Sequence, residues 1–251
     1  MHSAILSVRA RLRLLLAGIT LFFAASSTNA DVVLVPTILD GSVSELSLSP
    51  AVVTTNEAGM DDVFGAPNFD PGPPSTFIDI QFNTETTAAG PTNIQTEADL
   101  FAVFALATGP ATTVHMFFVD ILDWCGVTGD PPNPGIVGCA STPGNVMVLE
   151  SAIAAGPLGK ELNSHELGHN LDLGHLAGVN TNLMNPSLSG STALTAEQIT
   201  TIDGSDLVQG ANPNRFITIQ PIVVIPEPST AVPLLLVLMG LTVLRRNRTC
   251  R

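Results

Sequence analysis

The spacing of apolar and polar residues predicts a mixture of strands and helices. Residues 77–82 alternate apolar and polar side chains, which is typical of a half-buried strand. Residues 113–122 are mostly β-branched or aromatic and predict a central strand, and residues 145–150 and 215–225 predict two further extended segments. The dense apolar content of residues 97–108 predicts a buried helix instead.

Three more helices and one more strand are predicted from local signals. A short helix is expected over residues 56–64, and a longer one over residues 158–171. A capping box at residues 195–198 starts a third helix, which runs toward Val208. Residues 32–39 predict a strand. The chain has no internal repeat, so the pattern indicates one α+β domain of ordinary size.

The N-terminus has the layout of an export signal. Three arginines precede an apolar run over residues 14–25, and Thr28 and Ala30 occupy the −3 and −1 positions of a cleavage site. The sequence therefore predicts a signal peptide over residues 1–30. A retained membrane anchor is the alternative, which the shortness of the apolar run disfavours.

The C-terminus has a three-part layout. Residues 226–230 read PEPST, an apolar stretch covers residues 231–244, and four arginines follow. This layout resembles the PEP-CTERM sorting signal of Gram-negative bacteria. The resemblance implies transient membrane insertion, processing by an exosortase-type protease as a partner, and release or display at the cell surface. A simple tail anchor with cytoplasmic arginines is the alternative. Both interpretations place the domain outside the cytoplasm.

The middle of the chain, between the two end segments, is strongly acidic. Seven of the nine basic residues lie in the two end segments, which leaves Lys160 and Arg215 against 22 acidic residues and a formal charge of −20. Such a surface repels nucleic acid and anionic lipid, so neither is an expected partner. A solvated acidic surface is the favoured interpretation, with Ca²⁺ as a further candidate cofactor. Its candidate ligands are loop carboxylates: Asp61, Asp62, Asp70, Asp123 and Asp130.

The cysteines predict one disulfide bond. Cys125 and Cys139 bracket a loop rich in proline and glycine, and they can pair in an oxidising compartment. A bridge closing a loop of roughly 15 residues stabilises a protein by about 3 kcal/mol in the chain-entropy model. Cys250 lies in the C-terminal tail.

The string HELGHNLDLGH at residues 165–175 carries the candidate chemistry. His165 and His169 lie one helical turn apart on the same face, so both imidazoles can reach one zinc ion at about 2.0–2.1 Å. His175 can join them only if the chain turns after the helix. Glu166 is placed to activate a zinc-bound water molecule as a general base. An ordinary amphipathic helix is the alternative interpretation.

The string resembles the HExxHxxGxxH pattern of the metzincin metalloproteases. Ten of its eleven positions fit, and the departure is Asp172, where the family has glycine. Because that glycine ends the helix in a left-handed conformation, we expect Asp172 to adopt it at some cost. Met184, in the segment TNLMNP, follows His175 by nine residues and resembles the methionine turn of the same family.

The resemblance implies a metzincin-like zincin fold, with a twisted mixed sheet, a backing helix and an active-site helix that carries the zinc ligands. It also implies a cleft lined by an edge strand, which residues 145–149 match. The expected activity is that of a secreted or surface-displayed zinc endopeptidase acting on peptide or protein substrates. The predicted organisation is a signal peptide over 1–30, an N-terminal extension over 31–75, a catalytic domain over 76–225 and a sorting signal over 226–251.

Two other interpretations of the site are open. One is a non-catalytic extracellular matrix or surface protein that zinc stabilises. The other is a gluzincin-like peptidase whose third ligand is a downstream carboxylate such as Glu197, although this residue fits a helix start better. His115 lies in a predicted strand and is expected to be a core residue rather than a ligand.

Overall fold

The computed structural model describes residues 50–65, 68–69, 77–126 and 129–226. The predicted signal peptide, the strand at 32–39 and the sorting signal beyond Pro226 lie outside these residues. The described helices are α1 (Pro50–Phe64), α2 (Glu97–Phe104), α3 (Ser151–Ala154), α4 (Gly159–Asn170) and α5 (Ala196–Asp203). The described strands are β1 (Ile78–Phe82), β2 (Thr86–Ala89), β3 (Asn93–Ile94), β4 (Thr113–Val119), β5 (Ile121–Leu122), β6 (Gly138–Ala140), β7 (Val146–Glu150) and β8 (Arg215–Ile225). The α+β class is confirmed.

The main sheet is mixed. Its strand order is β1-β8-β4-β7-β6, with the first four strands parallel and β6 antiparallel to β7. Strand β2 also pairs with β8, and β3 and β5 form a small separate sheet. The central position predicted for residues 113–122 is confirmed for β4, although Asp120 interrupts the segment before β5.

The last strand of the described chain lies inside the sheet. Strand β8 pairs with β1 and β2 on one side and with β4 on the other. Side chains on both of its faces are buried near its end, as expected for an interior parallel strand. The extended segment predicted at 215–225 is therefore confirmed, and it joins the two halves of the sheet.

The edge strand predicted at residues 145–149 is wrong. Strand β7 covers this segment, but it pairs with β4 on one side and β6 on the other, so it is an interior strand. The edge is β6, which is only three residues long and has no alternating pattern that would reveal it in the sequence. Strand β6 includes Cys139 and so forms the end of the predicted disulfide loop.

The larger core fills one face of the sheet. Helices α1 and α4 pack together there, and Met60, Val63 and Phe64 of α1 are fully buried. The helix predicted at 56–64 is confirmed and begins earlier, at Pro50. The domain boundary at residue 76 stays a prediction, although α1 precedes it and packs into the same core.

The other face is covered by a smaller core beneath α2. Leu100 and Val103 are buried there with Trp124, but Phe101 is 56% exposed. The expectation of a buried helix over 97–108 is therefore wrong, because α2 is a short surface helix with one apolar face. Apolar density alone does not distinguish a buried helix from an amphipathic one.

Helix α1 also closes one edge of the sheet. The backbone N–H of Ile80 donates to Asp61 at 2.7 Å, and that of Phe82 donates to Glu57 at 3.3 Å. These carboxylates occupy donors that an edge strand would otherwise leave open to another chain. Burial of Asp61 raises the pKa of its carboxyl group, while the bond from Ile80 lowers it. No helix among the described residues is both long enough and apolar enough to cross a membrane.

Candidate metal centre

Helix α4 carries three of the predicted site residues, of which two are buried and His169 is half-buried. It runs from Gly159 to Asn170, which confirms the helix expected at 158–171. His165 and Glu166 are each 5% exposed, and His169 lies one turn further along. This helix is polar in sequence yet mostly buried, because the sheet and the segment around Met184 cover it from opposite sides.

The turn after α4 brings in the third histidine. Asp172 has a φ of 70°, and it is the one non-glycine residue with a positive φ in the described part of the chain. The left-handed conformation expected at this position is confirmed. The chain then reverses direction, and the backbone N–H of Leu173 donates to the carbonyl of Gly168 at 2.9 Å. His175 therefore returns to the face of the helix that carries His165 and His169.

The three imidazoles converge on one point. The Nε2 atom of His175 lies 3.3 Å from that of His165 and 3.2 Å from that of His169. Two nitrogens bound tetrahedrally at about 2.0–2.1 Å lie roughly 3.3–3.4 Å apart, so these distances fit a shared zinc-sized ion. Within the described residues this is the one group of three or more potential ligands close enough to hold a metal ion.

Backbone carbonyls fix the orientation of two of the rings. The Nδ1 atom of His165 lies 2.7 Å from the carbonyl oxygen of Leu183, and that of His169 lies 2.7 Å from the carbonyl oxygen of Leu173. Each Nδ1–H donates to its carbonyl, which leaves the Nε2 lone pair free to face the metal. This arrangement is the usual support for histidine ligands.

The environment keeps these histidines neutral. Burial lowers the pKa of His165 and of His175, and it lowers the pKa of His169 to about 4. A neutral imidazole is the form that binds a metal. The donor set, the geometry and the protonation state of the three residues thus all fit a divalent metal ion.

Glu166 lies beside the histidines without a strong partner of its own. Its Oε2 atom is buried and makes no hydrogen bond, and burial raises the pKa of the carboxyl group to about 8. A Cβ atom at position 138 would overlap the Glu166 carboxylate, so Gly138 leaves the space that this side chain occupies. A cation at the histidines would favour the ionised form of Glu166.

Met184 packs against helix α4. Its side chain is fully buried, and a Cβ atom at Gly168 would lie 2.5 Å from its Sδ atom. The close approach of the two segments therefore requires the glycine between the helical histidines. The backbone N–H of Met184 donates to the Asn182 side chain at 2.9 Å, and its carbonyl accepts from Leu176 at 2.7 Å.

A cleft of about 570 Å³ opens beside the histidines. The helix wall, formed by α3, α4 and the loop that follows Met184, contributes apolar side chains from Leu158, Leu162 and Leu188. The strand wall, formed by residues 133–138 and β6, faces it. The predicted disulfide bond between Cys125 and Cys139 is confirmed, and it ties the strand wall to the segment that follows β5.

The structure gives the other candidate residues different roles. His115 is buried, with Nε2 lying 3.0 Å from the Thr108 carbonyl oxygen, so it is a core residue as expected. Glu197 is exposed in the first turn of α5, where its own backbone N–H lowers the pKa of its carboxyl group. None of the four candidate calcium ligands in the described residues joins a group of potential metal ligands, and Asp70 lies outside those residues.

Two features of the site were missed in the sequence. One is the strand wall, because β6 has no pattern of its own and lies beside the helix only through long-range pairing. The other is Glu161, whose buried carboxylate binds the loop after Met184. Its position four residues before His165, on the same face of the helix, is the signal that could have indicated it.

No family model, curated protein or solved structure matches this chain.

Proposed function

We propose that the protein is a zinc endopeptidase of the metzincin type, with His165, His169 and His175 as the metal ligands and Glu166 as the general base. The observation that carries the proposal is the convergence of the three Nε2 atoms next to an open cleft that His165, Glu166 and His175 line. The mixed sheet, the buried Met184 and the left-handed Asp172 support it.

Each residue has a distinct role in this proposal. A zinc ion, when bound, would polarise the scissile carbonyl and lower the pKa of a water molecule to about 7. Glu166 would accept the proton of that water and later pass it to the leaving amine. Leu183 and Leu173 would hold the two helical imidazoles through their carbonyl oxygens. Met184 would support the helix from below without touching the metal.

The strand wall offers a way to bind an extended peptide. The hydrogen bonds from Glu150 to Val137 and from Ser141 to Val146 lie on either side of β6. Because the pairing of antiparallel strands alternates, the backbone groups of Gly138 and Ala140 point away from β7. A peptide could add to this edge as a further strand, with its side chains against the apolar helix wall.

Export belongs to the same proposal. A disulfide bond is typical of proteins outside the cytoplasm, and Cys125–Cys139 supports that location. The signal peptide and the PEP-CTERM resemblance would bring the enzyme to the surface of a Gram-negative cell, after processing of the tail.

The second candidate function is a zinc-stabilised surface or matrix protein without turnover. The burial of Glu166, which is only 5% exposed, favours it, because a general base must reach its substrate. In that case zinc would raise the unfolding temperature of the protein while peptides remained intact.

Hydrolysis of an unfolded protein with and without a chelator separates the two functions. The endopeptidase proposal predicts cleavage that the chelator abolishes and that added zinc restores. Cleavage that persists in the chelator would contradict it, and zinc binding without cleavage would favour the surface protein.

A further inference from the structure

Glu161 is a buried carboxylate that no cation neutralises among the described residues. It lies on α4, one turn before His165, and is 3% exposed. The neighbouring Lys160 points outward and pairs with Asp62 at 3.0 Å. A buried charge of this kind is costly unless hydrogen bonds compensate for it.

Hydrogen-bond donors from one short loop supply that compensation. The backbone N–H groups of Ser189, Gly190 and Ser191 all donate to the Glu161 carboxylate, at 2.8, 2.6 and 3.3 Å respectively. The Ser189 hydroxyl lies 3.3 Å from the same carboxylate, but its single hydrogen has a nearer acceptor, the Asn180 carbonyl, at 2.9 Å. Successive N–H groups that converge on one anion form a backbone nest.

Gly190 makes this nest possible. Its φ is 83°, in the left-handed region that lets neighbouring N–H groups face the same side. A Cβ atom at this position would have no heavy atom within 4 Å, so a side chain would fit there. The position favours glycine because of its left-handed backbone conformation.

The nest lies at the end of a wall segment of the cleft. Residues 185–188 line the cleft, and Ser189 follows them directly. The start of the segment is held separately, because the N–H of Asn185 donates to the Asn182 carbonyl at 3.1 Å and its side chain donates to Ser187 at 2.7 Å. The Ser189 hydroxyl also donates to the Asn180 carbonyl at 2.9 Å. Glu161 is nevertheless the group that ties the C-terminal end of the segment to the helix that carries His165.

We propose that Glu161 is a positioning residue, which holds residues 185–188 at a fixed distance from the zinc helix and thereby sets how tightly the cleft binds a peptide. This inference rests on the proposed peptidase function. It assigns Glu161 no contact with the metal or with the reacting atoms. Loss of the nest should weaken peptide binding and leave the metal and the chemical step intact.

The test compares Glu161→Gln and Gly190→Ala with two matched controls in the full chain. Glutamine retains the size of the side chain but replaces one carboxylate oxygen, an acceptor, with an NH₂ group, a donor. That NH₂ group would face the N–H groups of the loop and could not bind them. Asp62→Asn removes a carboxylate next to the same helix. Gly178→Ala places a Cβ at a similar left-handed glycine, φ 79°, with equally open surroundings.

Three readouts are taken: zinc content, hydrogen exchange of the amides of residues 189–191, and KM and kcat for a fluorogenic peptide of about ten residues. For Glu161→Gln we expect unchanged zinc content, exchange faster by about tenfold or more, and a KM raised about tenfold with kcat within about twofold. Gly190→Ala should behave alike, and the controls should keep the wild-type KM.

The outcomes separate the two proposals. A KM that stays at the wild-type value, or a kcat that falls while KM is unchanged, would overturn the positioning role, as would exchange that is no faster than in the wild type. If Glu161→Gln does not fold, Gly190→Ala decides the matter on the same readouts. If the wild type binds the peptide without cleaving it, the peptidase proposal fails, and the dissociation constant replaces KM in the comparison.

Discussion

The two walls of the cleft differ in how the chain builds them. The helix wall comes from consecutive segments, α3, α4 and the loop to residue 191, and it carries the three clustered histidines and the candidate base. The strand wall comes from earlier residues that reach the site through pairing with β7 and the Cys125–Cys139 bridge. It contributes backbone groups and apolar side chains. Chemistry is therefore expected to depend on the helix wall and peptide binding on the strand wall.

The largest effect is expected where the helix wall holds the metal. His175→Ala should lower zinc affinity by more than about 100-fold, because a lost ligand costs more than a lost supporting hydrogen bond. Glu197→Ala should retain zinc, since Glu197 is exposed at the start of α5. Zinc titration of both variants measures this. Loss of zinc in Glu197→Ala alone would support the gluzincin-like alternative.

Proline substitutions test the strand wall at two neighbouring strands. Val148→Pro should destabilise the fold by about 1–3 kcal/mol, because it removes a ladder hydrogen bond from β7, which is paired on both sides, and leaves a buried acceptor unpaired. Ala140→Pro should fold, since its N–H points away from β7, and should raise KM for long peptides. Urea unfolding and steady-state kinetics measure the two effects. An unchanged KM in Ala140→Pro would mean that peptides do not add to β6.

The free energy of unfolding of the metal-free protein should depend on pH, and the histidines and Glu166 should affect it in different pH ranges. The histidines, with lowered pKa values, contribute stability that is present above pH 6.5 and is lost as the pH falls toward 4. Glu166 has a raised pKa of about 8, so its contribution is lost as the pH rises through that value. Between pH 6.5 and 8 the Glu166 contribution alone should fall by about 1.5 kcal/mol, while the histidine contribution still rises as their unfolded forms lose the last protons.

Glu166→Gln is the control for this dependence, because glutamine does not titrate. Urea unfolding in a chelator, at both ends of this pH range, gives the two free energies of unfolding. An equal fall in the variant and in the wild type would show that another group is responsible.

The smallest effect is expected at the turn between the helical histidines and His175. Asp172→Gly should stabilise the protein by about 1 kcal/mol, because glycine adopts a φ of 70° without the cost that a side chain imposes. Thermal unfolding of the zinc-bound protein measures the change. Lower zinc affinity in this variant would instead show that the Asp172 side chain supports the site.

The helix wall could be predicted because its information is local. The four-residue spacing of His165 and His169 places them on one helical face, and Asp172 and Met184 lie within a short distance along the chain. The structure brings these residues together as the sequence suggested. The disulfide bond was equally accessible, since only two cysteines lie outside the tail.

The strand wall depends on information that the sequence does not carry locally. Alternation identifies β8 as a strand but not its place between β1 and β4, and the same limit made β7 look like an edge. Strand β6 is too short for any periodicity. The Glu161 nest joins residues 28–30 positions apart, and a carboxylate on a polar helix is ordinarily solvated.

The central claim is that the helix wall performs metal-dependent hydrolysis, and Glu166→Gln tests it most directly. Zinc content and kcat for a peptide substrate are measured on the same preparation of the variant and of the wild type. We predict one zinc ion per chain in both proteins and a kcat lowered by about 10²–10⁴-fold in the variant. Full turnover in Glu166→Gln, with zinc bound, would contradict the account.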